Sequence, residues 1–212
     1  ESGVTYIDTA YPYHDGESEP FIGRVLKKYK REDFYLATKL PMFKIDSLEQ
    51  AKEILEEQMK RLDVDYVDFY LLHALNKDTW KKVIDLNIIP YCEELKKQGR
   101  IKNFGFSFHD DYEVFEEIIN YRDWDFCQIQ LNYIDTDIQA GMKGYKLTEE
   151  KNVPLVIMEP IKGGALASLS GDIEKVFTDY SQNVSISSWA LRFVALLPNV
   201  KVVLSGMSTS RR

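Results

Sequence analysis

The chain predicts an α/β fold of parallel βα units, a (β/α)8 TIM barrel that is incomplete over these residues, from three observations. Short apolar segments alternate with helix-like segments along nearly the whole length. Three of the early strand-like segments, Thr5-Tyr-Ile-Asp8, Phe34-Tyr-Leu-Ala-Thr-Lys39 and Val67-Asp-Phe-Tyr-Leu-Leu-His73, each stop on an ionisable residue. The glycine pattern G-x-G-x-x-G, which a doubly wound dinucleotide-binding sheet requires, does not occur in the sequence. In a parallel barrel the strand ends gather around one mouth, where the chemistry of such folds sits.

The strand segments are Thr5 to Ala10, Phe34 to Lys39, Val67 to Leu72, Asn103 to Ser107, Phe126 to Leu131, Leu155 to Met158 and Lys201 to Leu204. Between them, Ser47-Leu-Glu-Gln50 reads as a capping box that opens a helix to Leu62. Its apolar residues Ala51, Ile54, Leu55, Met59 and Leu62 recur at helical spacing. A helix from Ile88 to Gln98 ends at Gly99, a left-handed C-terminal cap. Asp110 or Asp111 caps a helix from Tyr112 to Asn120, with Val114, Phe115, Ile118 and Ile119 on its buried side. Ile186 to Leu197 is an apolar helix that stops before Pro198, and Asp135 to Tyr145, with Gly141 and Gly144, reads as a loop or irregular helix at the functional rim.

Seven strands are one fewer than a closed barrel holds, Glu1-Ser-Gly-Val4 reads as a helix end, and only a few residues follow the last strand. The expectation is therefore a single barrel domain over residues 1–212, truncated at both ends, that lacks an N-terminal strand and helix and a C-terminal helix.

The formal net charge of -7, from 34 acidic and 27 basic residues, argues against a nucleic-acid surface, which carries clustered excess Lys and Arg. It leaves room for a small anionic ligand held by local N–H groups. No apolar run approaches the ~20 residues of a membrane-spanning helix and no secretion signal opens the chain, so a soluble protein of the cytoplasm is expected. Cys92 and Cys127 fit neither a disulfide framework nor a thiolate metal site, and three histidines without converging carboxylates argue against a catalytic metal.

At the rim, Asp8, Lys39 and His73, with a nearby phenol from Tyr11 or Tyr13, bring together groups suited to proton transfer. A phenol has a reference pKa near 10 and donates weakly at neutral pH; an adjacent ammonium favours the phenolate and improves the match. Each residue alone has a structural explanation, Asp–Lys as an ion pair and His as a strand-end residue. Their joint placement on successive strand ends is the informative feature. His14 and His109, just after strands, stand either as pocket-lining or as solvated loop residues.

The sequence resembles the aldo-keto reductases. The resemblance rests on Ile7-Asp-Thr-Ala-Tyr-Pro-Tyr13, Glu19-Pro-Phe-Ile-Gly23, Ala37-Thr-Lys39, Leu71-Leu-His73 and Gly105-Phe-Ser107. It continues through Cys127-Gln-Ile-Gln-Leu-Asn132, Glu159-Pro-Ile-Lys-Gly-Gly164 and Leu204-Ser-Gly206, in order along the whole chain. It implies that Asp8, Tyr13, Lys39 and His73 form the family's tetrad, the family spacing selecting Tyr13 over Tyr11. It also implies reduction of an aldehyde or ketone to an alcohol by hydride transfer, with Tyr13 as general acid.

A hydride source is a cofactor's task, so a nicotinamide is implied, NADPH with NADH as the alternative. By the resemblance, Ser107 and Gln128 bind its carboxamide, and Gln130 and Asn132 share the face of Gln128 by strand alternation. Met158 stands where relatives stack an aromatic ring. Gly163 and Gly164 let backbone approach the pyrophosphate, and Gly206 precedes the segment that grips the adenosine and its 2'-phosphate, where Arg211 or Arg212 stands either as a phosphate partner or in a frayed terminus. Phe108 stands where many relatives have Asn, so the resemblance does not carry over one expected amide contact. The variant motifs are most similar to a microbial branch whose members often carry a C-terminal iron-sulfur domain. The alternative reading is a nucleotide-binding scaffold or sensor of low activity on the same barrel.

Overall fold

The computed structural model describes residues 3–181 and 183–206. Seven strands, β1 (Tyr6–Asp8), β2 (Tyr35–Leu40), β3 (Val67–Leu75), β4 (Ile101–Phe108), β5 (Phe126–Gln130), β6 (Leu155–Met158) and β7 (Val200–Val203), form one parallel sheet in sequence order. This is the predicted incomplete (β/α)8 barrel. Among the described residues eight α-helices accompany the strands: α1 (Ser18–Leu26), α2 (Leu48–Leu62), α3 (Lys77–Asp85), α4 (Ile88–Lys97), α5 (Tyr112–Tyr121), α6 (Gly141–Glu150), α7 (Gly171–Tyr180) and α8 (Ile186–Ala195).

The period-two alternation of the strands divides the core in two. The larger part lies between sheet and helices, where Leu36, Leu40, Tyr70, Leu72, Phe104, Phe106, Cys127 and Ile129 meet the apolar stripes of the helices. The smaller lies on the opposite, inward face: Ala37, Leu71, Phe126 and Val156, joined by Tyr6, Phe69, Val202 and Leu204. Each buried large apolar side chain contributes about 1.5–3 kcal/mol, so the helix-facing layer dominates stability and the inward layer forms a floor. Asp8, Lys39, His73, Ser107, Gln128 and Met158 follow that floor by steps of two along their strands, which puts a polar layer directly above an apolar one.

Gly105 is part of the floor. A Cβ there would lie 2.5 Å from the Phe126 carbonyl oxygen and 2.7 Å from its ring, and backbone cannot withdraw from a paired strand. Gly105→Ala is expected to destabilise the chain by about 1–3 kcal/mol, read as a lower urea midpoint with an unchanged m-value.

Helix punctuation is partly as expected. Ser47 accepts from the Gln50 N–H at 3.2 Å, but Gln50 bonds the N–H of Asp46 instead of Ser47, so the box closes one residue earlier. Gly99, at φ +75°, donates to the Lys96 carbonyl while Arg100 N–H reaches Leu95, which ends α4 in a left-handed cap. Neither Asp110 nor Asp111 caps α5 through its side chain. Asp110 accepts from Lys77 N–H at 2.7 Å, at the start of α3, and from Asp111 N–H at 2.8 Å. The segment read as loop or irregular helix resolves into a loop and α6, which begins at Gly141 with φ +54°. Cys92 and Cys127 are both free and buried. No described helix is long and apolar enough to cross a membrane.

Candidate active site at the C-terminal rim

Lys39, at the end of β2, is fully buried, and its ammonium donates to Asp8 Oδ1 at 2.6 Å and to the Thr9 carbonyl at 2.8 Å. Asp8 ends the neighbouring strand β1, whose register sets Asp8 beside Ala37 and so beside Lys39. Burial alone would favour the neutral amine. The Asp8 carboxylate, with help from the Tyr13 phenol, more than offsets it and holds the pKa of Lys39 above the usual lysine range. Lys39 is therefore an ammonium throughout the neutral range.

Tyr13 opens a one-turn 3-10 segment after β1, and two left-handed residues, His14 and Asp15, follow it. Its ring lies 4.7 Å from Lys39 Nζ and meets the His73 ring edge-on at 5.6 Å and 77°. Tyr11, the competing phenol, points elsewhere: its hydroxyl donates to Glu57 at 2.8 Å and its ring packs under the Arg61 guanidinium at 4.2 Å.

His73 is placed by an irregularity that the sequence did not announce. The β3–β4 register runs Leu72 to Phe106 and then Leu75 to Phe108, so β3 carries one extra residue. The bulge is completed by Ala74 at φ +52°, a conformation disfavoured for a residue with a Cβ, and the Ala74 N–H is accepted by Ser107 Oγ at 2.8 Å. His73 packs against the exposed ring of Phe43 at 5.6 Å, and its buried Nδ1 has no hydrogen-bond partner among the described residues. Burial first, then the nearby Lys39 charge and His109, lower its pKa to about 3, so the imidazole is neutral at physiological pH.

This has a measurable consequence. A folded-state pKa of about 3 against an ordinary 6.5 means that the unfolded chain takes up the proton first as the solution is acidified. The contribution of His73 to stability is complete above about pH 6.5 and is lost progressively as pH falls toward 3. His73→Gln is expected to flatten that part of the stability–pH curve, measured as urea midpoints at matched pH values.

The cofactor candidates fall in two groups. Ser107 on β4 and Gln128 on β5 are register partners and both buried. Ser107 spends an acceptor lone pair on Ala74 and keeps its hydroxyl proton to give. Among the described residues, Gln128 Nε2 reaches only the Met158 sulfur, at 3.5 Å, and its buried Oε1 has no partner. A free donor beside an orphaned acceptor fits a carboxamide. The second group is the turn after β6, where Lys162, Gly163 and Gly164 all adopt positive φ and no described residue lies within 4 Å of a Cβ built on either glycine. Lys162 pairs with Asp135 at 2.6 Å. Gln130 and Asn132, on the expected face, donate to the same carboxylate at 3.1 and 3.0 Å, so they anchor this turn and are not open to a ligand through those groups. Gly206, the last residue of the described C-terminal segment, lies exposed past β7. His14 and His109 are exposed, and Arg211 and Arg212 lie outside the described residues.

Residues without an expected role also converge here. Glu19, Thr38 and Gln58 are fully buried behind Lys39 and hydrogen-bonded to one another. Gln58 was detectable in principle: it interrupts the apolar stripe Ala51, Leu55, Leu62 of α2, where an unpaired amide would be costly.

Fold and rim together define a parallel barrel with an Asp–Lys–Tyr–His constellation inside its C-terminal mouth. The match to the Aldo/keto reductase family model extends over residues 1–212, and the chain belongs to that family. It is 25% identical over 186 residues to an NADH-specific methylglyoxal reductase of Escherichia coli, which covers 77% of this chain and 54% of that protein. It is 26% identical over 238 aligned positions to the Bacillus subtilis oxidoreductase YqkF, covering 98% of this chain and 75% of the relative. Among solved structures, the holo form of aldo-keto reductase AKR11C1 from Bacillus halodurans superposes with a TM-score of 0.80 at 26% identity, over 98% of this chain and 74% of that one. The chain thus spans about half to three quarters of the length of these relatives.

Proposed function

We propose that the chain is the core of an NADPH-dependent carbonyl reductase, with NADH as the alternative cofactor, acting in the cytoplasm on small aldehydes or ketones. The observation that carries this reading is the close grouping of the Lys39 ammonium, the Tyr13 ring and a neutral His73. Tyr13 donates its phenolic proton to the substrate oxygen. The Lys39 ammonium stabilises the negative charge left on the phenol, and Asp8 keeps that ammonium charged and in place. His73, being neutral, offers a donor that orients the carbonyl without adding a competing acid. Ser107 and Gln128, backed by Met158, would hold the nicotinamide, and the Gly163–Gly164 turn and Gly206 would lie along the rest of the dinucleotide. When bound, that cofactor supplies the hydride, which no side chain can.

The test is NADPH and NADH consumption by the chain against a panel of aldehydes, quinones and methylglyoxal, the last being named in the E. coli relative. Turnover with at least one small carbonyl is expected. Tight nucleotide binding with none across the panel would instead support a sensor or scaffold.

A further inference from the structure

Behind the rim lies a buried polar network that the proton-transfer chemistry does not use. Glu19, near the start of α1, accepts the Thr38 hydroxyl at 2.6 Å, Gln58 Nε2 at 2.7 Å and Arg61 Nη1 at 3.4 Å. Gln58 Nε2 also reaches Thr38 Oγ1 and the Lys39 carbonyl, both at 3.0 Å, and its Oε1 accepts the Tyr70 hydroxyl at 2.8 Å. Arg61 Nη1 donates to the Tyr11 carbonyl at 3.4 Å while its other nitrogen pairs with Glu57 at 2.7 Å. Each contact leads to a rim residue. Thr38 and the Lys39 carbonyl belong to the stretch of β2 backbone that carries the Lys39 side chain, Tyr11 belongs to the loop that presents Tyr13, and Tyr70 is on the strand of His73.

We propose that Glu19 and Gln58 are positioning residues that fix Lys39 relative to Tyr13 by clamping β2 and the β1–α1 loop to one carboxylate. A fully buried carboxylate whose pKa burial pushes upward is an expensive way to fill space, and here a single acceptor satisfies donors from β2 and α2. The fork geometry explains why an acid and an amide serve together. The carboxylate accepts from Thr38, Gln58 and Arg61, and the amide's remaining donor goes to the backbone of Lys39. The idea rests on the proposed proton-transfer role of the rim.

The experiment compares the chain with Glu19→Gln and with the milder, nearly isosteric Thr38→Val. It uses two readouts, steady-state carbonyl reduction and the nitrogen-15 NMR signal of the Lys39 ammonium, assigned by its loss in Lys39→Met. The expected result in both variants is a kcat lower by about tenfold, a nucleotide Kd changed less than twofold, and a shifted or exchange-broadened Lys39 signal. A lower melting temperature with kcat and the Lys39 signal unchanged would overturn the proposal and leave a purely structural network. If Glu19→Gln does not fold, Thr38→Val decides by the same criteria. Should the unsubstituted chain reduce no carbonyl, the functional reading fails by itself, and an unmoved Lys39 signal would separately refute the clamp.

Discussion

Tyr13→Phe is expected to lower kcat by roughly 10²–10⁴-fold while nucleotide affinity stays within a few-fold of the unsubstituted chain. The substitution removes one oxygen and keeps the ring, so the contacts of that ring with Lys39 Nζ at 4.7 Å and with His73 at 5.6 Å survive. Tyr11 cannot take over, because it is committed to Glu57 and Arg61. His73 cannot substitute as the acid either, since its pKa of about 3 leaves it without a proton to spare at neutral pH. Nucleotide titration by fluorescence and single-turnover reduction of one active carbonyl check the two halves of the expectation. Turnover comparable to that of the unsubstituted chain would remove Tyr13 from its role.

Lys39→Met is expected to lose activity to a similar degree and, unlike Tyr13→Phe, to destabilise the fold by about 3–5 kcal/mol. Lys39 is fully enclosed and its partner Asp8 retains only 13% side-chain exposure, so removing the ammonium strands a carboxylate whose Oδ2 already lacks a partner. For a chain of this length the melting temperature should fall on the order of 10 °C, measured by circular dichroism. Asp8→Asn combined with Lys39→Met should recover much of that stability and none of the activity, because the stranded charge is gone while the phenol still lacks its cation. The sign of the pH dependence follows from the raised pKa of Lys39. Its stabilising effect is complete below the ordinary lysine value of 10.5 and is lost as pH rises through the higher folded value.

Much of the barrel is legible in the residue order. Each strand is a short apolar run closed by turn residues, and all seven predicted segments coincide with strands to within a few residues at each end. The helices α2, α4, α5 and α8 announce themselves by apolar stripes, and α2 and α4 also by their caps. The others are quieter. α1 carries Pro20, tolerated only because it falls in the first turn. α3 depends on an Asn76–Thr79 capping box without the usual Glu or Gln, and α7 has no buried residue to mark a stripe. Family membership, carried by motifs spread from Ile7 to Gly206, was readable for much the same reason the strands were: apart from Glu19–Gly23 on α1, the motifs lie at or just after strands.

The sequence by itself determined the alternation of strands and helices, Asp8, Lys39 and His73 at the rim with a phenol from Tyr11 or Tyr13, and the hydrogen-bonding side chains at the neighbouring strand ends, since these depend on local periodicity and residue type. Only the tertiary structure decided which phenol faces the ammonium, that His73 is uncharged, that a bulge at Ala74 aims it, and that Asp135 ties Gln130 and Asn132 to the glycine turn. Charge state and reach depend on separations of a few ångströms between residues far apart in sequence, as with Asp8 and Lys39, 31 positions apart and 2.6 Å in space. Desolvation and Coulomb interaction act on those separations, and no local pattern encodes them.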